Sequence, residues 1–593
     1  MVLHDPMFGY ANQFDAGRTA ACLDLWPDLP GGPREAGYFN APIEKHRLVK
    51  IPSQGCYPGT EALVDWAALS LDAIRRHIEG TPDVADMRVI GFFKALLLVA
   101  TACVASRSFR SRPTVALVHA LILALVVADP LHTLYLNTLY SEFVAVFGAY
   151  AAIAGLAGLV VDEYPSTSLA IFVCGVLCLA FSRMQHLLLP LFFVLALGLL
   201  KFRGVFANRL SRRARLPVVT VMIGLTLASI GSVAMNVNFA ARNPVFHEVN
   251  RNNMLFGALL PATENPGAVV HALELPPHCA RLVNSGYWRI LERGLKGTCP
   301  EALAISSARL LAVFASEPKA LITLFGRGLV LSSGWRTRYI GEVAHGDFAQ
   351  VPAGPLGITV SIESITRKFD FPGHVIFWLL PLVSGLISGA SLLRKARAAP
   401  EVSCRDRPSE AARLALFALA AVISSVWVSA LFGDGYSELA RHLHLGILAS
   451  LASWIILLAV AIRQRPIVPI ISLALVLAGA IAALYSLPLA VGSLAEPHDD
   501  RALNSANSFT GWVIAPYKVI AVDIEQQGRR LHRAQVKQSD SLARYYPMAD
   551  GKRVFEFSFG RSGLSSPINA NNPVNVYAVQ DGQRRQLIDV RYP

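Results

Sequence analysis

No P-loop, no dinucleotide-binding glycine fingerprint and no zinc signature occurs in this chain, so nothing in it points to an ATP-driven pump. Charge is scarce. Charged residues are 16% of the 593, where a soluble protein carries about 25%. No Asn-x-Ser/Thr sequon is present, which favours a bacterial inner membrane over a secretory pathway. Met1 opens without a basic n-region or an apolar h-region, although the first 86 residues are polar. If those residues lie outside the cytoplasm, an upstream apolar segment beyond this sequence is expected to carry them across.

What the chain holds instead is long apolar runs; 53% of its residues are hydrophobic. A run of about 20 apolar residues crosses a bilayer. The candidate spans are 87–105, 113–128, 142–161, 167–182, 187–200, 216–235, 374–393, 412–432, 443–462 and 467–487. The pair 167–182 and 187–200 is short, and reads as two tilted helices or a broken pair. The net charge of +13 comes from Lys and Arg between these runs, on alternate loops, where they set topology rather than bind nucleic acid. Arg107, Arg110 and Arg112, the stretch Lys201 to Arg215, Arg394 to Arg413, and Arg463 with Arg465 are then cytoplasmic, with only Asp162–Glu163 voting against. Five regions follow: 1–86 outside, 87–235 with six spans, 236–373 as a large outer loop, 374–487 with four spans, and 488–593 outside.

The expected architecture is an all-α polytopic membrane bundle of about ten transmembrane helices, with extracytoplasmic loops and a small β-rich C-terminal domain. Within the outer regions, 60–79 reads as a helix with Leu63, Trp66, Leu69, Leu71 and Ile74 on an apolar face. The patterns 300–316 and 317–331 are amphipathic, and either lie along the membrane surface or pack on the bundle. In the tail, RVFEFSFG alternates like a strand, and VNVYAVQ, Asp581-Gly582 and QRRQLIDVRY read as a hairpin. Cys22 with Cys56 and Cys279 with Cys299 lie in outer regions, where an oxidising compartment permits disulfides; free thiols are the alternative. Cys103, Cys174 and Cys178 fall in spans and Cys404 in a cytoplasmic loop.

Four polar clusters all fall on the outer side. The first, HDPMFGYANQFDAGR, holds Asp5, Asp15 and Arg18; a carboxylate beside apolar surface has a raised pKa and can act as a base, or these acids merely cap turns. The second, DPLHTLYLNTLYSEF, holds Asp129, Tyr135, Asn137, Tyr140 and Glu142. Ser141 would cap the helix 142–161 and leave its N-terminus open to an anion such as phosphate, or Glu142 is simply a favourable first-turn acid and the tyrosines anchor the interface. The third, SRMQH, places Arg183 and His186 in a tight outer turn; Arg183 either meets a phosphate or snorkels to headgroups. The fourth, GDGYSELARHLHL, sets Asp434, Glu438 and Arg441 on one face if helical, with His442 close by. Glu438 and His442 at i, i+4 imitate a metal pair, but no third ligand is evident, so a polar constellation or an ion pair between helices is preferred and no metal ligand is assigned.

In its general plan, a first outer segment with an acidic motif, many spans, short paired helices, outer loops and a terminal soluble domain, the chain resembles the GT-C superfamily of polytopic glycosyltransferases, and in YANQFDAGR, LYLNTLYSE and GDGYSELARH it resembles a group of bacterial membrane proteins. The superfamily resemblance implies a polyprenyl-phosphate-linked sugar as donor at the outer face and a glycan or lipid as acceptor. It implies an acid of the first outer loop as general base, here Asp5 or Asp15. The span that should precede that loop is missing and no paired acidic motif stands there, so the choice of base is open. With it, Arg183, His186, Arg441 and His442 would hold the phosphate, and Tyr135, Asn137 and Glu142 would line the sugar or acceptor pocket. No cofactor is required; a divalent metal is left open. The rival readings are a polyprenyl-linked glycan transporter or flippase, and a non-catalytic envelope-assembly protein.

Overall fold

The structure is a computed structural model. It describes residues 2–12, 14–33, 40–51, 55–161, 165–202, 212–332, 335, 340–345, 369–398, 407–464, 477–539, 554–569, 572–580 and 584–591. Backbone amides in hydrocarbon have only one another as partners, so each apolar run closes into a helix. The helices in chain order are α1 Phe14–Leu23, α2 Thr60–Ile78, α3 Met87–Phe109, α4 Pro113–Ile122, α5 Pro130–Thr133, α6 Glu142–Val161, α7 Pro165–Ala180, α8 Leu189–Phe202 and α9 Arg212–Arg242. After them come α10 Pro244–Met254, α11 Tyr287–Glu292, α12 Ser307–Ala315, α13 Pro318–Leu331, α14 Phe371–Ala398, α15 Arg407–Gly433, α16 Leu439–His442 and α17 His444–Gln464. Proline opens five of these, where its missing N–H costs nothing.

Ten spans were expected. Among the described residues six helices are long and apolar enough to cross a membrane: α3, α6, α9, α14, α15 and α17. Three shorter apolar helices, Pro113–Val127, Pro165–Ala180 and Met184–Leu199, correspond to the expected 113–128, 167–182 and 187–200. Of the expected span 467–487, residues 467–476 lie outside the described residues; 477–485 are helical. Also outside them lie Asp162–Glu163, most of the basic stretch after Phe202, Cys404 and the Asp581-Gly582 turn.

Helix α6 is the axis of the bundle. Of its apolar stretch 89% is buried, against 22% for α3 at the periphery. It meets α7 backbone to backbone: a Cβ on Gly155 would stand 2.5 Å from the Phe172 nitrogen, and one on Gly175 2.3 Å from the Ala152 nitrogen. Small residues let two helices approach this closely without water to drive them together.

Helix α2 forms as expected, with its apolar face turned outward. Leu63, Trp66, Leu71 and Ile74 are exposed, and of the expected apolar face only Leu69 is buried. The side turned inward carries Glu61, Asp65 and Asp72 instead. The reason is Lys94, about two turns into α3. Its ammonium touches Glu61, lies 2.8 Å from Asp65 and donates to the Thr138 carbonyl at 2.7 Å. The other Glu61 oxygen accepts the Val144 N–H at 3.1 Å, in the first turn of α6. Burial pushes the Glu61 carboxyl up to about 8, against the pull of Lys94, and raises Asp65 as well. Two buried acids thus share one cation.

Both expected disulfides are present, Cys22–Cys56 within 1–86 and Cys279–Cys299 within 236–373. The pattern 300–316 is not one helix: a 3-10 turn, Pro300–Ala304, gives way to α12, whose N–H at Arg309 is capped by Ser306 at 3.2 Å. The four short strands β1 Leu25–Leu29, β2 Gly32–Pro33, β3 Lys45–Leu48 and β4 Val84–Asp86 form a small sheet of order β2-β1-β3-β4. The tail is a seven-stranded antiparallel sheet, β5 Val491–Glu496, β6 Ser508–Ile514, β7 Val519–Gln526, β8 Arg529–Gln538, β9 Val554–Gly560, β10 Val574–Gln580 and β11 Arg585–Arg591, in the order β11-β10-β7-β8-β9-β6-β5. The expected strand is β9, and β10 pairs with β11 as the expected hairpin, Val574 opposite Arg591. Buried charge docks this domain: Arg293, at the end of α11, meets Asp500 at 2.7 Å, and Arg591 shares the same carboxylate.

Removing Lys94 leaves two acids buried without a cation. Lys94→Met is expected to lower stability by about 3–5 kcal/mol, read as thermal unfolding in detergent, and adding Glu61→Gln and Asp65→Asn should restore most of it. An unchanged unfolding midpoint in the single variant contradicts this account.

Candidate functional site

The first two polar clusters fold onto each other. The Asn137 side-chain amide donates to the Phe8 carbonyl at 2.7 Å and the Val2 carbonyl at 3.2 Å, and Asn12 accepts the Leu139 N–H at 3.0 Å. Backbone bonds from Gly9 and Ala11 run to Glu342 and Gly341 in the region 236–373. This stitching leads the chain into α1, whose first turn carries Asp15.

Asp15 is where the clusters meet. Arg18 approaches it at 3.1 Å, Arg183 at 3.0 Å, and Arg441 makes a direct ion pair with it. Arg183 also pairs with Glu142, a side chain with no exposure, and the Arg441 Nε stands 3.6 Å from the same oxygen. Glu438 pairs with Arg441 from the other side. Three guanidiniums and three carboxylates therefore interlock, with the Arg441 guanidinium also 5.3 Å from the Tyr140 ring centre and that of Arg18 4.4 Å from the Phe246 ring. Burial alone would raise the Asp15 carboxyl, but Arg18, Arg441 and Arg183 outweigh it and hold it well below the usual carboxylate range.

A second polar chain runs beside this one. The His442 Nε2 lies 3.0 Å from Asp434, and its Nδ1 receives the Gln185 amide; that network sets the tautomer. Asp434 accepts the Asn253 amide at 2.7 Å, and Asn253 in turn accepts the Tyr287 N–H at 2.6 Å. The helical reading of 434–442 does not hold. α15 ends at Gly433, Gly435 sits at φ 62° and Glu438 at φ 46°, and the helix resumes only at Leu439. Asp434 and Arg441 thus reach different partners rather than sharing one face.

Other expected residues stand apart. Asp5 has a 93% exposed side chain and meets Arg88 at 3.2 Å, outside the Asp15 cluster. Asp129 accepts the Leu131 N–H at 2.8 Å and caps α5. Asn137 serves the backbone stitching just described. The rings of Tyr135 and His444 lie tilted to each other, with centres 5.6 Å apart, and His186 bonds Ser182 at 2.8 Å. The N-terminus of α6, expected to face a bound anion, has the Glu61 carboxylate on its Val144 N–H instead. Sequence reasoning passed over Gln185, Asn253, His132 and His444. It also passed over Lys94, although a lone cation inside an apolar run is a signal of a buried partner. Each carboxylate of the Asp15 cluster already has a guanidinium on it. Among the described residues the one group with metal-ligand spacing is His278, Cys279 and Glu301, and the Cys279 sulfur is taken by its disulfide.

Asp15 has its folded pKa below the unfolded value of about 3.9. Its contribution to stability is therefore complete above about pH 4 and is lost as pH falls toward the folded value. Thermal unfolding between about pH 7 and about pH 3 is expected to show an acid loss that Asp15→Asn lacks. At neutral pH that variant, with three guanidiniums left facing one another, should be less stable by about 3 kcal/mol.

A family model for the YfdI N-terminal transmembrane domain matches residues 71–468. No curated protein and no solved structure matches the chain. The matched region takes in every helix from α3 to α17, and with them Arg183, Glu142, Asp434 and Arg441, while Asp15 precedes it. This is a multi-pass membrane protein, and it belongs to the family of the YfdI N-terminal transmembrane domain.

Proposed function

We propose that the chain is a GT-C-type membrane glycosyltransferase that moves a sugar from a polyprenyl-phosphate donor to an extracytoplasmic glycan or lipid acceptor. The observation that carries this reading is the ring of Arg18, Arg183 and Arg441 around Asp15. A lipid-phosphate sugar brings its own leaving group, so a site for it needs a cationic cradle and a base and no nucleotide pocket. Guanidiniums offer phosphate two parallel N–H donors, which a lysine cannot.

The two needs meet in one device. Donor phosphate competes with Asp15 for the same guanidiniums. As they turn toward phosphate, the buried carboxylate loses its compensating charge and its proton affinity rises. Asp15 then takes the proton of the acceptor hydroxyl, the acceptor oxygen attacks the anomeric carbon, and the bond from that carbon to the phosphate oxygen breaks. The leaving polyprenyl phosphate keeps the electron pair, its charge held by Arg183 and Arg441. Asp5 has no part in this. The site faces outward in a bacterial inner membrane, with both terminal regions extracytoplasmic. The basic loops and the two disulfides in regions 1–86 and 236–373 support that orientation.

The test is mass spectrometry of envelope glycans from a strain lacking the gene, complemented in turn with wild type and variants at matched expression. One sugar is expected to vanish in the deletion and return with wild type and with Asp5→Asn. Asp15→Asn and Arg441→Gln are expected to restore less than about 1% of it. An unchanged glycan profile in the deletion, or full restoration by Arg441→Gln, refutes the reading.

A further inference from the structure

Beside the guanidinium ring lies a set of buried polar atoms that the scheme above does not use. The Nε2 of His186, the Nε2 of His444, both ring nitrogens of His132 and the Oε2 of Glu142 have no hydrogen-bond partner among the described residues. All four side chains are at least 97% buried. They come from four separate segments: the turn before α8, the head of α17, α5 and the head of α6. The rings of His186 and His444 stand 6.5 Å apart, Tyr135 lies 5.6 Å from His444, and the Tyr135 N–H donates to the His132 carbonyl at 3.3 Å. Unpaired buried polar atoms are rare in folded proteins, and several in one place call for an explanation.

Their hydrogen-bonding sense can be worked out. The Ser182 hydroxyl donates to the Leu179 carbonyl at 2.9 Å, so it accepts from the Nδ1–H of His186 at 2.8 Å. The Nδ1–H of His444 donates to the Arg441 carbonyl at 2.8 Å. In a neutral imidazole the other nitrogen is then a lone-pair acceptor. Nε2 of His186, Nε2 of His444 and Oε2 of Glu142 are therefore all acceptors, and His132 adds one acceptor and one donor. A phosphate oxygen, itself an acceptor, finds little here. A hydroxyl-rich group finds what it needs.

We propose that His132, His186, His444 and Glu142 form a subsite for a neutral polyhydroxyl group, the sugar ring of the donor, directly beside the guanidiniums that take its phosphate. This rests on the lipid-phosphate reading of the site and moves His186 from the phosphate to the sugar. The histidines supply acceptors for sugar O–H groups, Tyr135 gives a flat apolar wall, and Arg183 and Arg441 lie next to the glycosidic phosphate.

The full-length protein in nanodiscs is titrated with farnesyl phosphate and with farnesyl phosphate bearing glucose, galactose or mannose. Wild type is expected to bind at least one sugar-bearing lipid about tenfold more tightly than the bare phosphate. His444→Leu and His132→Phe are expected to erase that difference, with the loss confined to the sugar-bearing lipid, and His444→Gln to retain part of it. A sugar preference that survives in both variants, or a parallel fall for bare and sugar-bearing lipids, overturns the assignment. Binding of all lipids without preference for the sugar overturns this inference alone. Binding of none takes the lipid-phosphate reading down with it.

Discussion

Three guanidiniums drawn from three parts of a chain repel one another. At about 4 Å and an effective dielectric near 20, each like-charged pair costs about 4 kcal/mol. Asp15 is the group they share, and Glu142 and Glu438 complete the neutralisation from either side. The arrangement tolerates burial only while these acids stay ionised. It is therefore stable at neutral pH and poised to rearrange when another anion arrives, because a new negative charge can take over a guanidinium without leaving it bare. The position of α1, the stitching of Asn137 to the first loop and the Cys22–Cys56 bond all serve to hold Asp15 at that point.

The membrane part is built to carry this cluster at one end. α6 is buried along nearly all its length and brings Glu142 to its head, while α15 and α17 flank the turn that bears Arg441. Beneath the cluster, Glu61 occupies the amide end of α6 and binds Lys94 of α3 with its other oxygen. The site thus has two charged layers, a balanced outer one and an inner one in which two acids share a cation. The tail domain is fixed to the outer loop by a further buried group, Asp500 between Arg293 and Arg591.

Much of this was legible residue by residue, and little of it pair by pair. Polar text breaking into apolar runs marked Arg183, Glu142, Asp434 and Arg441, and alternation marked β9 and the closing hairpin. Apart from Arg18, three residues on, the partners were not legible, because the other residues that meet Asp15 lie 168 and 426 positions away. The helical reading of 434–442 failed on Gly435 and Glu438, both in left-handed backbone, although the GDG text was itself a turn signal. The apolar stripe of α2 was legible but not the side it faces; that is set by Glu61 and Asp65, four apart, which turn inward to Lys94. Asp5 and Asp15 looked alike in sequence; only exposure separated them.

The orientation of α2 has one more consequence. Its leucines and Trp66 lean on whatever surrounds the protein, while its opposite side holds, through Glu61, the start of the helix that bears Glu142. Whatever tilts α2 from its exposed side is therefore carried through Glu61 to the first turn of α6, and with it to the carboxylate that pairs with Arg183.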